Sequence, residues 1–271
     1  VRADFHTHTT MSDGRVSPEA LVFKAAAREL DVLAVTDHDT TAGVAAAQAE
    51  GEAYGVRVLT GVELSVSLPL EGATDELHLH LICLGFDLED AALQELLTRI
   101  RTSRGAAARE TLERLSLAGY AASLPQKLLE TSDQTLCRPH LADALVAAGH
   151  ARSRNDAFDR FLASDTYRTR YTLPTAEEAI RVVHRAGGLA VWAHPRIEEL
   201  DRAAAVLTDQ GLDGVEVFRA SFRSSPRSLY AEEVARRFGL LVSGGSDAHG
   251  LSIGEFALGD EQVGPLVREV I

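Results

Sequence analysis

His6-Thr7-His8 sets two imidazoles two positions apart at the end of a segment that alternates as a strand does. Residues two apart on a strand face the same side, so both rings can address one cation. Asp13 follows in the next loop. The same pattern, a short apolar run ending in ionisable residues, recurs along the chain. It gives Thr36-Asp37-His38-Asp39, then Glu63, then His78 and His80, then His194-Pro195, and finally Ser246-Asp247-Ala248-His249. Six histidines (His6, His8, His38, His80, His194, His249) and three carboxylates (Asp13, Glu63, Asp247) could supply nine donors. One ion takes about four to six ligand atoms, some from water or substrate. Nine donors, one of them bridging, therefore suggest two or three divalent ions. Nitrogen and oxygen donors without thiolate suit manganese, zinc or iron better than calcium or copper. His78 shares a strand face with His80 and competes with it. His150 and His184 lie in helical contexts and read as surface or packing residues.

These groups need elements that bring them together. Strands are expected over 2–8, 31–36, 56–66, 77–86, 189–192, 214–218 and 240–243. Helices are expected from Ser17-Pro18 to about 30, over 41–54, 175–186, 199–210 and 226–238. Alternation of this kind implies a parallel sheet or barrel, in which ligand sites gather at the carboxyl ends of the strands. Between about 90 and 171 helix follows helix: 91–119, a short piece near Leu128, 139–149 and 155–163. The expected domain organisation is a barrel of residues 1–90 and 172–271 with a helical insertion at 91–171.

The net charge of −13 repels nucleic acid and anionic membranes at long range, so a phosphate substrate needs a local positive centre. Cys83 and Cys137 show neither pairing nor metal-ligand spacing and fit a reducing compartment. No apolar run approaches a membrane span, and the chain opens directly into a strand-like segment without a signal-peptide pattern. The expected location is the cytoplasm.

The segments DFHTHT at 4–9, TDHDT at 36–40, GVELS at 61–65, HLICLGF at 80–86, AHP at 193–195 and GGSDAHG at 244–250 together resemble the PHP (polymerase and histidinol phosphatase) family. CRPHLADALVAAGH at 137–150 and DAFDRFL at 156–162 resemble its branch of nucleoside 3′,5′-bisphosphate phosphatases and 5′–3′ exoribonucleases of the RNase AM type. The resemblance implies an α/β fold, a distorted (β/α)7 barrel, with a trinuclear centre. His6, His8, Glu63 and Asp247 would hold a first ion. Glu63, His80 and His194 would hold a second, and Asp13, His38 and His249 a third. The comparison favours His80 over His78 and manganese as the metal, with zinc, iron or magnesium as alternatives. It also implies that Arg138 and His140, at a helix start, contact the substrate phosphate, where free N–H groups and a bidentate arginine suit an anion. Arg170 is a further phosphate candidate, and His140 a candidate general acid. One departure stands out. Relatives carry a His-containing segment where this chain reads Arg219-Ala220-Ser221-Phe222-Arg223. Arg219 or Arg223 can contact an anion but cannot act as a neutral acid-base group.

The implied chemistry is hydrolysis of a phosphomonoester by a metal-bridging hydroxide, with Asp247 as a catalytic ligand. The expected substrate is the 3′-phosphate of a nucleoside 3′,5′-bisphosphate. The alternative is a 5′–3′ exonuclease on short 5′-phosphorylated oligonucleotides. No basic, aromatic-lined track is visible, so no stable nucleic-acid complex and no membrane partner is expected. A non-catalytic metal- and phosphate-binding module is the rival from another class.

Overall fold

A computed structural model of the chain describes all residues except 73–74, 127, 129–132, 164–165, 220–224, 251–257 and 271. The first sheet is parallel, with strands Ala3–Asp4 (β1), Val32–Ala34 (β2) and Arg57–Leu59 (β3) in that order. The second contains Gly61–Leu68 (β4), Leu77–Leu84 (β5), Leu189–Trp192 (β6), Gly214–Arg219 (β7) and Leu241–Gly245 (β8), again in order. In it β5 runs antiparallel to both β4 and β6, while β6, β7 and β8 are parallel.

The expected (β/α)7 barrel is corrected by this arrangement. Among the described residues no closed barrel forms: the two sheets share an apolar core, and their backbones pair through isolated bridges, Thr7 with Ala248 and His38 with Glu63. The single strand expected at 56–66 bends at Thr60, whose hydroxyl donates to the Phe86 carbonyl (2.8 Å), so its halves join different sheets. The parallel reading also fails at β4 and β5. Only residues 69–76 join them, too few for the crossover a parallel pair requires.

The helices are Pro18–Ala27 (α1), Val44–Tyr54 (α2), Ala91–Leu117 (α3), Arg138–Ala147 (α4), Arg154–Ala157 (α5), Ala176–Arg185 (α6), Ile197–Asp209 (α7), Pro226–Phe238 (α8) and Asp260–Val270 (α9). A π-helical turn, Phe158–Leu162, continues α5. Side-chain caps mark several starts: Ser17 accepts from Ala20 N–H, Asp90 from Leu93 N–H and Thr175 from Glu178 N–H. Sequence reading missed α9, whose interior holds the poor helix formers Gly264 and Pro265. The piece expected near Leu128 falls where residues 127 and 129–132 lie outside the described set. Among the described residues no helix is long and apolar enough to cross a membrane.

Alternation on the β4–β5 hairpin divides core from site. Val62, Leu64, Val66, Leu79, Leu81 and Cys83 enter the main core with α6, α7 and α8, while Glu63, Ser65 and His80 take the opposite face. Helix α3 belongs to two cores. Leu93, Leu96, Leu97 and Ile100 pack in the main one; Ala108 and Leu115 pack with Leu141, Leu145, Phe161 and Leu162 of the insertion. A cleft opens where the two cores adjoin.

Candidate metal centre and its cleft

Backbone geometry that only special residues accept fixes the ligand-bearing segments. A Cβ on Gly245 would lie 2.4 Å from that of His6, and one on Gly14 would lie 2.4 Å from the His8 carbonyl, so both positions must stay bare for these strands to press together. Asp39 (φ 52°), His194 (φ 34°) and Asp247 (φ 51°) are non-glycine residues in the left-handed region. Each conformation costs about 1–3 kcal/mol and persists only where surroundings enforce it. The Asp39 N–H donates to the Glu63 carbonyl (3.0 Å), and the Asp247 N–H to that of His6 (2.8 Å).

All nine expected ligands gather at one place. Glu63 is at the centre. Its Oε2 lies 3.3 Å from His6 Nε2, 3.2 Å from His8 Nε2 and 3.1 Å from His38 Nδ1. Its Oε1 lies 2.9 Å from both His80 Nδ1 and His194 Nε2. Asp247 Oδ1 is 3.4 Å from His6 Nε2 and 3.3 Å from His8 Nε2. Asp13 Oδ1 is 3.3 Å from His249 Nε2 and 3.8 Å from His38 Nε2. Three compact donor groups result: His8, Asp13, His38 and His249; His6, His8 and Asp247; His38, Glu63 and His80. His78, the rival to His80, pairs with Ser67 further along the hairpin and lines the cleft instead.

The donor set fits divalent ions on two grounds. His6 Nε2, His8 Nε2, Asp13 Oδ1, His38 Nδ1 and Glu63 Oε2 are buried without a hydrogen-bond partner, although they lie close together. Such groups cost about 1–3 kcal/mol each unless something satisfies them. Donors held at about 2.1 Å from one ion stand about 3.0–3.4 Å apart, matching most of these separations.

Electrostatics agree. Burial alone would lower His6 and His8, but Asp247 and Glu63 outweigh it, holding His6 well above its ordinary value and carrying His8 to about 10. Burial would raise Glu63, Asp13 and Asp247, yet the surrounding imidazoles hold all three well below the usual carboxylate range. His38 is pushed well down by burial and stays a neutral donor. The pocket attracts positive charge, and protons take the place of metal when no metal is there.

A second layer orients the donors, and sequence reading missed it. Glu216 Oε1 lies 2.9 Å from His6 Nδ1, and its Oε2 accepts the His194 N–H (2.7 Å). Its signal was an acid inside the apolar run Gly214–Arg219. Asp37 accepts from Thr9 N–H (2.7 Å), Thr9 Oγ1 (2.6 Å) and Ser12 Oγ (2.6 Å), tying down the loop that carries Asp13. Asp4, which burial raises to about 6, accepts the N–H groups of His6 (3.2 Å) and Ser246 (2.9 Å). Arg219 pairs with Asp247 Oδ2. Arg223 lies outside the described residues.

The cleft, about 750 Å³, is lined in part by Asp13, His38 and His80. Arg104, Arg138, Arg168, Arg170 and Arg196 line it, with Tyr171 and an apolar wall that includes Leu136, Leu141, Phe158 and Leu162. Arg138 opens α4, its guanidinium 5.8 Å from the Phe158 ring centre. Arg170 lies on the return from the insertion, facing the same space. His140 is turned to local use: its Nδ1 accepts the Cys137 N–H (3.0 Å), it has a backbone hydrogen bond to Ser12, and burial lowers its pKa.

Clustered donors beside a cationic cleft, on this α/β scaffold, define a metal-dependent phosphoesterase. The chain belongs to the PHP domain family, with residues 4–138 matching that domain. It is 34% identical over 256 residues to the 5′–3′ exoribonuclease Rnm of Salmonella typhimurium, covering 91% of this chain and 84% of that one. It is 32% identical over 275 residues to the 3′,5′-nucleoside bisphosphate phosphatase of Chromobacterium violaceum, covering 98% and 94%. The structure of an amidohydrolase from Chromobacterium violaceum, with bound sulfate and no metal, superposes with a TM-score of 0.82 at 30% identity, covering 96% of this chain and 92% of that one.

Proposed function

We propose that the protein removes the 3′-phosphate of a nucleoside 3′,5′-bisphosphate. The carrying observation is the cleft: inside a chain of net charge −13 it gathers Arg138, Arg168 and Arg170 beside Asp13, His38 and His80. Positive charge confined to one cleft suits a small dianion better than a long nucleic acid.

Three ion positions are proposed: His6, His8, Glu63 and Asp247; Glu63, His80 and His194; Asp13, His38 and His249. Manganese is the proposed metal. When bound, such ions acidify water and neutralise charge developing on a phosphoryl group. The chain's own residues do the remaining work. Arg138, at the positive end of α4, binds a phosphate, with Arg170 as a second cationic contact. The apolar wall beside Phe158 shields the nucleoside from water. His140 bonds the Cys137 N–H through Nδ1 and also the Ser12 backbone, so its role in this reading is to brace the Ser12–Asp13 loop against α4 and present Arg138.

A second reading is 5′–3′ exonuclease action on short 5′-phosphorylated oligonucleotides. The 34% identity to an exoribonuclease across most of both chains favours it. Manganese-loaded protein given adenosine 3′,5′-bisphosphate and, separately, a 5′-phosphorylated RNA trimer separates the two. Faster release of inorganic phosphate from the bisphosphate is expected. Mononucleotide release from the trimer as the dominant activity would establish the second reading, and no release from either substrate would overturn both.

A further inference from the structure

We infer that Arg104 is a positioning residue for the metal centre, the point at which the helical insertion sets His38 and Glu63 relative to each other. This rests on the reading of His38 and Glu63 as ligands. Arg104 and Arg101 sit one turn apart on α3, between its main-core contacts, which end at Ile100, and its insertion-core contacts, which begin at Ala108. Arg104 is 8% exposed. Its Nε forms an ion pair with Asp39 Oδ2 (2.7 Å), one terminal nitrogen donates to Ser65 Oγ (2.8 Å), and the other lies 3.4 Å from Cys137 Sγ. Its guanidinium lies 4.9 Å from the Tyr171 ring centre. Arg101 donates to the backbone carbonyl of Asp39 (3.1 Å).

Asp39 is the connection. It follows His38 directly in the chain. Its fully buried carboxylate accepts from Ser65 N–H (2.7 Å) and Ser65 Oγ (3.1 Å), and its N–H donates to the Glu63 carbonyl. One residue therefore grips the neighbour of one ligand and the strand of the other, in a left-handed conformation that only its surroundings maintain. Arg104 supplies the counter-charge. Without it, the buried carboxylate keeps its Ser65 hydrogen bonds but loses its ion-pair partner and must draw in water or swing out, carrying His38 away from Glu63.

A purely stabilising arginine would weaken every ion position alike. A positioning arginine weakens most the positions built on His38, or on Glu63 with only His80 and His194, and least the ion that keeps His6, His8 and Asp247 beside Glu63. Metal-stripped Arg104→Met, Arg104→Lys and the double variant Arg104→Met with Asp39→Asn are titrated calorimetrically with manganese chloride. Bound metal is counted by elemental analysis, and the melting temperature of each stripped protein is recorded. The expected result for Arg104→Met is one ion near wild-type affinity and the others weakened about 10–100-fold, the usual range for a lost outer-layer partner. Arg104→Lys should recover part of the loss, because it restores charge but cannot reach Asp39, Ser65 and Cys137 together. The double variant should recover part by removing the stranded carboxylate. Wild-type affinity at every position in Arg104→Met, or uniform weakening that tracks a fall in melting temperature, would overturn the inference. If Arg104→Met does not fold, wild-type manganese binding by Arg104→Lys would overturn it equally.

Discussion

Glu216 shows how much the centre depends on a residue that is not proposed to touch metal. One carboxylate oxygen fixes the His6 ring through Nδ1, leaving Nε2 to face Glu63 and Asp247; the other holds the strained His194 backbone. Glu216→Gln keeps the shape but removes the charge and one acceptor. Manganese titration should show affinity down about 10–100-fold, with circular dichroism reporting a folded protein. The pH dependence follows from His8. With a value near 10, it is protonated at neutral pH in the metal-free protein, and an ion must displace that proton. Raising the pH removes the competitor, so affinity should rise with pH, by about tenfold per unit for each proton released, until His8 titrates near 10. Calorimetry of manganese uptake at pH 6, 7 and 8 in buffers of differing ionisation heat checks both slope and proton count. A flat profile would contradict the competition.

Among the elements, α4 carries the clearest test. Its first residue, Arg138, stands at the positive end of the helix and lines the cleft. A charge-assisted hydrogen bond contributes about 1.5–3 kcal/mol. Arg138→Ala should therefore raise KM for the bisphosphate about 10–100-fold while kcat changes little, the pattern of lost uniform binding. Steady-state kinetics decide it; a fall in kcat at unchanged KM would place Arg138 at the reacting phosphoryl group instead. The elements also show what the sequence could reveal. His6, His8, His38, Glu63, His194, Asp247 and His249 were legible because each ends or follows an apolar run, a local signal. Glu216 and Asp4 lie inside such runs, and Arg104 sits mid-helix where a solvated arginine looks the same. Their roles exist only once distant segments meet. Strand direction was hidden too, because a period of two is identical in parallel and antiparallel pairs; only the short 69–76 connection carried that information.

For the whole molecule, chelation should be costly. Five buried donor atoms lose their partner together, so the melting temperature should drop by several degrees in excess EDTA and return on adding manganese. The divided sheet has a consequence for how that loss spreads. His6, His8, Asp13 and His38 hang from the three-stranded side, and Glu63, His80, His194, Asp247 and His249 from the five-stranded side. In the proposed centre, cations between them would act as rivets across a seam that, among the described residues, backbone pairing closes at single points. Hydrogen exchange should find the seam amides of His8, Asp39 and Asp247 opening in stripped protein while the β4–β5 ladder stays protected. An ion lost from this protein thus loosens a joint before it melts a domain.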